Sequence, residues 1–309
     1  MSDEYERGLT AVKAHMDANA QSASQIADVA ASIRHMVANY SNTGIERPLS
    51  CRSVPVAFDA FDGEWLVPEG ADEAKRCVYL HGGGWIGGSA DSHRHFADRI
   101  ASSVGWPLLL INYRLAPECP YPQGLDDCAE AVRFARANGP SGAAVAEHVA
   151  VLGDSAGGNL AAALTLRAIE SSGDVPDSLA LLSATLDFRP YAIPARGIDD
   201  QICSEEGFVG IAGLYLAGEG SVDDRAVSPI AAPEELVSRF PPTLIQTTST
   251  EYLRDQGVNF AKTLWDNGVP VHLSVQPCLP HVFQLFQEEL GSARLASSEI
   301  AHFLATAAH

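Results

Sequence analysis

Short apolar runs alternate along this chain with longer stretches in which apolar residues recur every three or four positions. The runs predict buried strands, and the longer stretches predict amphipathic helices. The predicted strands are Cys77–Leu80, Pro107–Asn112, His148–Leu152, Ser178–Ala184, Thr243–Thr247 and Val269–Gln276. The predicted helices are Ser92–Val104 with Asp91 as its N-cap, Leu125–Asn138, Asn159 to about Ser171, Leu253–Asn267 and Ala293–Ala307. This alternation indicates an α/β fold with a mostly parallel central sheet and helices on both faces.

Two stretches fall outside the alternation. The first forty-odd residues contain Ala, Ile, Val and Met at helical spacing, which predicts one or two helices. The segment from Asp187 to about Ser228 interrupts the sheet with Pro190, Pro194 and several glycines. Near the N-terminal side of the sheet, Arg52–Phe58 and Glu64–Val67 are compatible with antiparallel edge strands.

The segment Gly153-Asp154-Ser155-Ala156-Gly157-Gly158 lies between a predicted strand and a predicted helix. A G-x-S-x-G turn in that context is typical of a nucleophile elbow, whereas a plain strand-to-helix turn is the simpler alternative. A serine hydroxyl is a weak nucleophile and must project where a base can reach it. Glycines two places either side of Ser155 keep such a crowded turn free of side chains. Ser155 is therefore the predicted nucleophile.

A second glycine cluster, His81-Gly82-Gly83-Gly84-Trp85, directly follows the predicted strand Cys77–Leu80. Consecutive glycines leave backbone N–H groups able to approach a ligand closely. The amides of Gly83 and Gly84, with that of Ala156, are predicted to form an oxyanion hole. A phosphate-binding loop is one alternative, but the cluster lacks the G-x-x-x-x-G-K-[ST] signature of such a loop. A flexible glycine linker is the other alternative, and the flanking strand argues against it. His81 is predicted to brace this loop.

These motifs resemble those of the hormone-sensitive-lipase-like family of α/β-hydrolases. The resemblance covers about residues 50 to 305, and the N-terminal stretch of the chain before it matches only in general character. The matching segments are His81–Trp85, Asn112–Glu118, Pro120–Pro122 with Asp126 and Asp127, Gly153–Leu160, Tyr215 with Leu216, Ser228 with Pro229, and Phe240–Thr243. In the family a glycine usually follows the catalytic histidine, and this chain has Val282 at the corresponding position.

The resemblance implies an α/β-hydrolase core with a helical cap over the active site. Residues 1–45 would form cap helices, 46–186 the first part of the core, 187–228 a cap insertion and 229–309 the second part of the core. A docking surface for a partner subunit is the alternative role for the two cap segments. Bulky cap residues are expected to narrow the pocket, among them Phe188, Tyr191, Phe208 and Tyr215.

A serine nucleophile needs a base, for which a neutral imidazole is suited near neutral pH. In the α/β-hydrolase order of serine, acid and histidine, the base follows Ser155, which leaves His272, His281, His302 and His309. His272 lies in the middle of a predicted strand, and the last two belong to the C-terminal helix and its end. His281 lies in the loop after the last predicted strand and is the predicted base.

Two carboxylates compete for the role of the acid that orients this imidazole. Glu251 stands at the junction between strand Thr243–Thr247 and the next loop, in register with the first acid of the family's D/E-x-L-x-D pattern. Asp255 falls one helical turn later, where the helix dipole favours an acid without any catalytic role. Glu251 is preferred, although most relatives carry aspartate there, and Asp255 remains the alternative.

Composition narrows the partners and the compartment. The chain has 309 residues, with 39 acidic and 20 basic residues and a net charge of −19, which disfavours nucleic acid and anionic lipid surfaces as partners. The start has no signal-peptide character, and no apolar run reaches membrane-spanning length. Six cysteines without C-x-x-C spacing suggest reduced thiols. A cytoplasmic location is expected.

No cofactor and no metal are expected. His93 and His95, with His81 upstream, form the one cluster that resembles a metal site, but their spacing would point them apart on a helix.

The sequence therefore predicts a serine carboxylesterase that acts on small apolar short-acyl esters, with Ser155, His281 and Glu251 as its triad. An amidase, carbamate hydrolase or lactonase would use the same parts. A non-catalytic receptor for a small ligand is the alternative from another class. A small-molecule ester is the predicted partner, and a homodimer is left open.

Overall fold

The central sheet of this protein is mostly parallel. A computed structural model describes residues 3–42, 47–189, 198–217 and 220–309, and within them eight strands form one sheet. The strands are β1 (Arg52–Ala57), β2 (Asp62–Val67), β3 (Lys75–Leu80), β4 (Leu108–Asn112), β5 (His148–Asp154), β6 (Ser178–Leu182), β7 (Thr243–Thr248) and β8 (Val271–Gln276). Their order is β1-β2-β4-β3-β5-β6-β7-β8. Strand β2 runs antiparallel to its two neighbours, β1 and β4, and all other adjacent strands of this sheet are parallel.

Helices cover both faces of this sheet. They are α1 (Asp3–Ala23), α2 (Val29–Ala38), α3 (Ala90–Val104), α4 (Gln123–Ala137), α5 (Ala156–Ser171), α6 (Glu205–Tyr215), α7 (Glu234–Val237), α8 (Arg254–Asp266) and α9 (Gly291–Ala307). Single 3₁₀ turns span Pro229–Ala231 and Phe283–Leu285, and a small ribbon pairs Asn138–Gly139 with Gly142–Ala143. The predicted α/β class, with a mostly parallel sheet between helices, is confirmed.

Side chains alternate between the two faces along each central strand, as the pleat of a strand requires. On β3, Val78 and Leu80 join the apolar core that includes residues of α4, α5 and α8. Cys77 and Tyr79 join the core that includes residues of α3 and α9 on the opposite face. Because both faces of the central strands are covered, all seven residues of β5 are buried.

Parallel strands end at the same edge of the sheet, and open α/β sheets bind their ligands at that edge. The loops after β3, β5, β7 and β8 therefore converge. They carry the glycine cluster 82–84, Ser155, Glu251 and His281 respectively. The sheet topology thus explains how side chains more than a hundred positions apart along the chain come to face one another.

The predicted start of α3 was wrong. The N-cap is Ser89, not Asp91, and the helix begins at Ala90. The Ser92 amide donates to Ser89 Oγ at 3.3 Å, and the Ser89 amide donates to Ser92 Oγ at 3.0 Å. These reciprocal bonds satisfy amides that the first helical turn leaves unpaired. Asp91 lies in that first turn and pairs instead with Arg94 at 2.6 Å.

The predicted N-terminal helices are present as α1 and α2, and they are attached to the edge of the sheet that carries the loops. On α2, Arg34 donates to the carbonyls of Ile86 at 2.9 Å and Ala116 at 3.1 Å, and its guanidinium also pairs with Glu118. A guanidinium offers several donors in a fixed plane, so one side chain can hold two loops at once.

The insertion between β6 and β7 contributes α6, which packs over the glycine cluster. A Cβ added at Gly84 would lie 3.0 Å from Ile211 Cγ2 of this helix. The Tyr121 amide also donates to the carbonyl of Tyr215 at 2.8 Å. Pro190, Tyr191 and Pro194 lie outside the described residues. The division into core and cap stays a prediction.

Among the residues that the structure describes, no helix combines the length and apolar character needed to cross a bilayer. The cytoplasmic location, and the exclusion of nucleic acid and lipid partners, stay predictions.

Candidate active site

Ser155 occupies a strained turn between β5 and α5. Its φ is 50° and its ψ is −116°, a conformation that L-residues rarely adopt. The backbone around it is held by three hydrogen bonds. The Ser155 amide donates to the carbonyl of Leu182 at 2.8 Å, and the Ser155 carbonyl accepts from Asn159 at 3.1 Å and Thr185 at 3.2 Å. Such a conformation persists where the surrounding structure over-determines it, often at functional sites.

The turn also requires glycine where α5 passes β3. A Cβ at Gly157 would lie 1.9 Å from the carbonyl oxygen of Leu80, a distance that no side chain tolerates. A Cβ at Gly153 would lie 2.3 Å from the carbonyl oxygen of Gly157. The two glycines of the sequence motif are therefore explained by backbone packing, and they leave the Ser155 side chain at the edge of the sheet.

The structure brings Ser155, His281 and Glu251 together in one hydrogen-bonded line. The Oγ of Ser155 lies 3.0 Å from His281 Nε2, and His281 Nδ1 lies 2.9 Å from Glu251 Oε2. His281 is 4% exposed and Glu251 1% exposed, so little water competes for these contacts. A carboxylate on Nδ1 holds the proton there and leaves the lone pair of Nε2 directed toward Ser155.

Glu251 is held in place from behind. Its Oε1 accepts a bond from the Thr248 amide at 2.9 Å and another from the hydroxyl of Thr247. The alternative acid, Asp255, lies in the first turn of α8 and contacts the Arg254 guanidinium at 2.6 Å. Of these two carboxylates, Glu251 is the one that the structure brings to the imidazole.

The pKa of His281 is raised well above its ordinary value of 6.5. Burial alone lowers this pKa, but Cys203 and the hydrogen-bonded Glu251 carboxylate both favour the protonated ring and outweigh burial. The direction follows from the contact at Nδ1, since an anion beside an imidazole stabilises its positive charge.

The backbone of the His281 loop is fixed by contacts that the sequence motifs do not reveal. The hydroxyl of Tyr40, just beyond α2, donates to the carbonyl of His281. Val282 has a φ of 48°, and its amide donates to Ser183 Oγ at 3.3 Å. A left-handed position suits glycine better than a β-branched residue, which gives a physical reason for the glycine usual in the family.

Two amides of the glycine cluster after β3, those of Gly83 and Gly84, have no hydrogen-bond acceptor among the described residues. Gly83 and Gly84 have φ values of 122° and 62°. Within the described parts of the chain, no group accepts a hydrogen bond from the amides of Gly83, Gly84 or Ala156. Ala156 is the first residue of α5, where amides are unpaired within the helix. These three amides are available to bind an oxygen anion.

Asp154, inside the serine motif, ties the two glycine-rich loops together, and the sequence reasoning missed it. It accepts from the Gly82 amide at 2.9 Å and from the Tyr79 hydroxyl at 2.7 Å, and it lies 3.5 Å from His93 Nε2. Burial raises the pKa of Asp154, but the neighbouring His93 and the Tyr79 bond outweigh it, so the net shift is downward. The carboxylate therefore stays ionised.

His81 lies within the loop and is fully buried. Its ring stacks on Tyr113 with centroids 4.2 Å apart, and its Nδ1 lies 2.8 Å from the Gly82 carbonyl. Burial, reinforced by the nearby His93, lowers the pKa of His81 to about 3. His81 is neutral at physiological pH, and its contacts support the predicted bracing role.

Comparison with known proteins agrees with this geometry. A profile of the α/β-hydrolase fold family matches residues 77–285. The acetyl-hydrolase of Streptomyces hygroscopicus is 31% identical over 249 residues, which cover 79% of each chain. A crystal structure of an esterase from the bacterial hormone-sensitive lipase family superposes with a TM-score of 0.84 at 26% identity, covering 100% of this chain and 99% of that one. The chain belongs to the hormone-sensitive-lipase-like family of α/β-hydrolases.

The family predicted from the motifs is thus confirmed. Carboxylesterase NlhH of Mycobacterium tuberculosis strain H37Rv is 32% identical over 212 residues. That alignment covers 68% of this hydrolase and 66% of the mycobacterial protein.

A narrow, mostly apolar cavity of about 100 Å³ opens at Ser155. Apolar side chains of α2 and α6 line it, namely Ile33, Met36, Val37, Phe208 and Ile211. The expectation that Phe188 and Tyr215 narrow the pocket was wrong. Both are buried against Trp85 instead. The Tyr215 ring stacks on it with centroids 4.7 Å apart, and the Phe188 ring packs at a tilt with centroids 4.8 Å apart. Phe208 does line the cavity of this hydrolase.

One cluster of metal-ligating side chains occurs within the described residues. It consists of Asp200, Cys203 and His281, with one ligand atom of each within 4.8 Å of the others. The expectation that the chain has no metal site was based on His93 and His95, and it did not take these three residues into account. His93 is buried beside Asp154 and His95 is exposed. Sequence spacing gave no signal for this cluster, because it joins two residues of the segment between β6 and β7 to a loop about eighty positions later.

Proposed function

We propose that this chain is a serine carboxylesterase in which Ser155 is the nucleophile, His281 the base and Glu251 the acid. The observation that carries the proposal is the continuous line of contacts from Ser155 Oγ to His281 Nε2 at 3.0 Å and from His281 Nδ1 to Glu251 Oε2 at 2.9 Å. Nucleophile, base and orienting acid within hydrogen-bond reach are the requirement for covalent acyl transfer.

Acylation begins when Ser155 Oγ attacks the ester carbonyl carbon and His281 Nε2 accepts the hydroxyl proton. The carbonyl oxygen becomes an anion, which the amides of Gly83, Gly84 and Ala156 stabilise. The tetrahedral intermediate then collapses, and the imidazolium of His281 gives its proton to the leaving alcohol. The buried Glu251 carboxylate stabilises the imidazolium while it exists.

Deacylation repeats these steps with water as the nucleophile. His281 removes a proton from water, the hydroxide attacks the acyl carbon, and Ser155 leaves with the proton returned by His281. The carboxylic acid is released and the enzyme is restored. The chain is thus a carboxylic ester hydrolase, in keeping with relatives named acetyl-hydrolase and carboxylesterase.

We further propose that the substrates are small apolar esters. The cavity beside Ser155 is narrow and its α2 and α6 walls are aliphatic or aromatic, so it suits a short acyl chain better than a charged group. The net charge of −19 also disfavours strongly anionic substrates, because it repels them.

The two candidate acids differ in their expected effect on turnover. In Glu251→Gln, the side-chain amide would donate to His281 Nδ1 and force the imidazole proton onto Nε2. Because that tautomer cannot accept a proton from Ser155, kcat should fall by roughly 10³ to 10⁴, by analogy with replacement of a triad acid. Asp255→Asn is the matched control and should retain activity within about tenfold of the wild type. Steady-state kinetics on p-nitrophenyl acetate measure both, and the reverse ranking would transfer the role to Asp255.

The pH dependence follows from the raised pKa of His281. The base must be neutral, so kcat/KM for a non-ionising ester should be low below this pKa, rise through it and reach a plateau above it. The midpoint should lie above 6.5, the ordinary value, and Glu251→Gln should move it downward because the carboxylate favours the charged ring. A profile that stays flat from about pH 5 to 9 contradicts His281 as base, whereas a midpoint below the ordinary value contradicts only the raised pKa.

The narrow cavity predicts a preference for acyl chains of about two to six carbons, since each methylene in a pocket changes discrimination by about 1–3 kcal/mol. A series of p-nitrophenyl esters from acetate to palmitate measures the optimum. Phe208→Ala, which shortens a wall residue, should shift the optimum toward longer chains. An optimum at decanoate or beyond in the wild type, or activation at an oil–water interface, is the result that overturns the small-ester proposal.

A further inference from the structure

The side chains of Asp200 and Cys203 lie beside the imidazole of His281, and both belong to the segment between β6 and β7. One ligand atom from each of the three residues lies within 4.8 Å of the other two. We propose that these three side chains bind a divalent zinc ion, and that the bound ion inhibits the hydrolase by engaging His281. The binding is independent of catalysis, whereas the inhibition rests on the proposed role of His281 as base.

The three donors match the chemistry of zinc. Structural and catalytic zinc sites use thiolate, imidazole and carboxylate ligands, and three protein ligands leave a fourth position for water. Ligand atoms at about 2.0–2.3 Å from a tetrahedral ion lie roughly 3.3–3.8 Å apart, so ligand atoms that now lie within 4.8 Å of one another would move together by up to about 1–1.5 Å around an ion. A thiolate ligand disfavours magnesium and calcium, which prefer oxygen.

Asp200 is already held in position by the backbone. Its Oδ1 accepts from the amides of Ile202 at 2.9 Å and Cys203 at 3.0 Å, and its Oδ2 accepts from Tyr252 at 2.9 Å. A carboxylate oxygen has lone pairs for both an amide and a metal ion. The carboxylate is therefore fixed before an ion arrives, and its position also fixes the backbone of Cys203.

The contact with Glu251 fixes the tautomer of His281 that both metal binding and catalysis require. With Nδ1 bonded to Glu251 at 2.9 Å, the available lone pair is that of Nε2. A carboxylate behind a histidine is the usual outer partner of a metal-bound imidazole, because it fixes the tautomer and makes the ring a better ligand. The same lone pair accepts the proton of Ser155, so the ion and the catalytic proton exclude each other.

Zinc should also compete with substrate. Cys203, His281 and Ser155 line the same cavity, so an ion held there occupies space that the substrate needs.

The binding experiment uses untagged Ser155→Ala protein, which separates metal binding from turnover. Competition with a chromophoric chelator measures zinc affinity and stoichiometry. One zinc per chain is expected, and adding Cys203→Ser should weaken its affinity at least tenfold. Adding Cys278→Ser instead is the matched control, since this thiol is exposed outside the cluster, and it should leave the affinity unchanged. Circular dichroism of each variant verifies that it is folded.

The activity experiment uses the wild-type serine. Zinc in a metal buffer should abolish ester hydrolysis, a chelator should restore it, and saturating substrate should protect. Relative to its own zinc-free rate, Cys203→Ser should need at least tenfold more zinc for half inhibition, whereas Cys278→Ser should match the wild type. Equal inhibition of Cys203→Ser, or zinc affinity that does not depend on Cys203, overturns the proposal. A wild type without esterase activity would refute the proposed function and leave the binding experiment to decide on the site.

Discussion

The active site depends on one strained turn at the end of β5. Ser155 takes up its unusual backbone conformation because the Leu182 carbonyl and the Thr185 amide hold it there. The turn also exists only because Gly157 lets α5 pass the carbonyl of Leu80. That close approach places the first amide of α5 beside the glycine cluster after β3. A single packing constraint therefore positions Ser155 and the Ala156 amide together.

Burial of charge is the second constraint on this site. Glu251 and Asp154 are both nearly inaccessible to water, and a buried carboxylate is costly unless donors surround it. Thr247, Thr248 and His281 supply those donors for Glu251. The N-terminal helices take part as well, since the residue that fixes the His281 carbonyl, Tyr40, follows α2. Helix α2 and Tyr40, remote in sequence from His281, thus hold the His281 loop and line the cavity in front of it.

Much of this architecture could be predicted from local patterns. The alternation of strands and helices was visible because burial on both faces of the sheet makes the middle of β5, Val149–Leu152, apolar. The elbow was visible because the close packing of its backbone requires glycines at fixed positions. Side chains that act through tertiary contacts gave no such signal. Nothing local marks Tyr40 or Cys203 as neighbours of His281, and the aromatic character of Phe188 did not reveal that its ring packs against Trp85. Ser89 was missed as N-cap because Asp91, two positions later, is an equally good capping residue by type.

The most direct measurement of the central claim is covalent labelling by a sulfonyl fluoride, followed by intact mass and peptide mapping. A hydroxyl activated by His281 should take up one label per chain, located at Ser155, and the rate of labelling should fall by orders of magnitude in His281→Ala. Ser155→Ala should take up no label under the same conditions. Labelling at another serine, or no labelling of a protein that hydrolyses esters, would contradict the account.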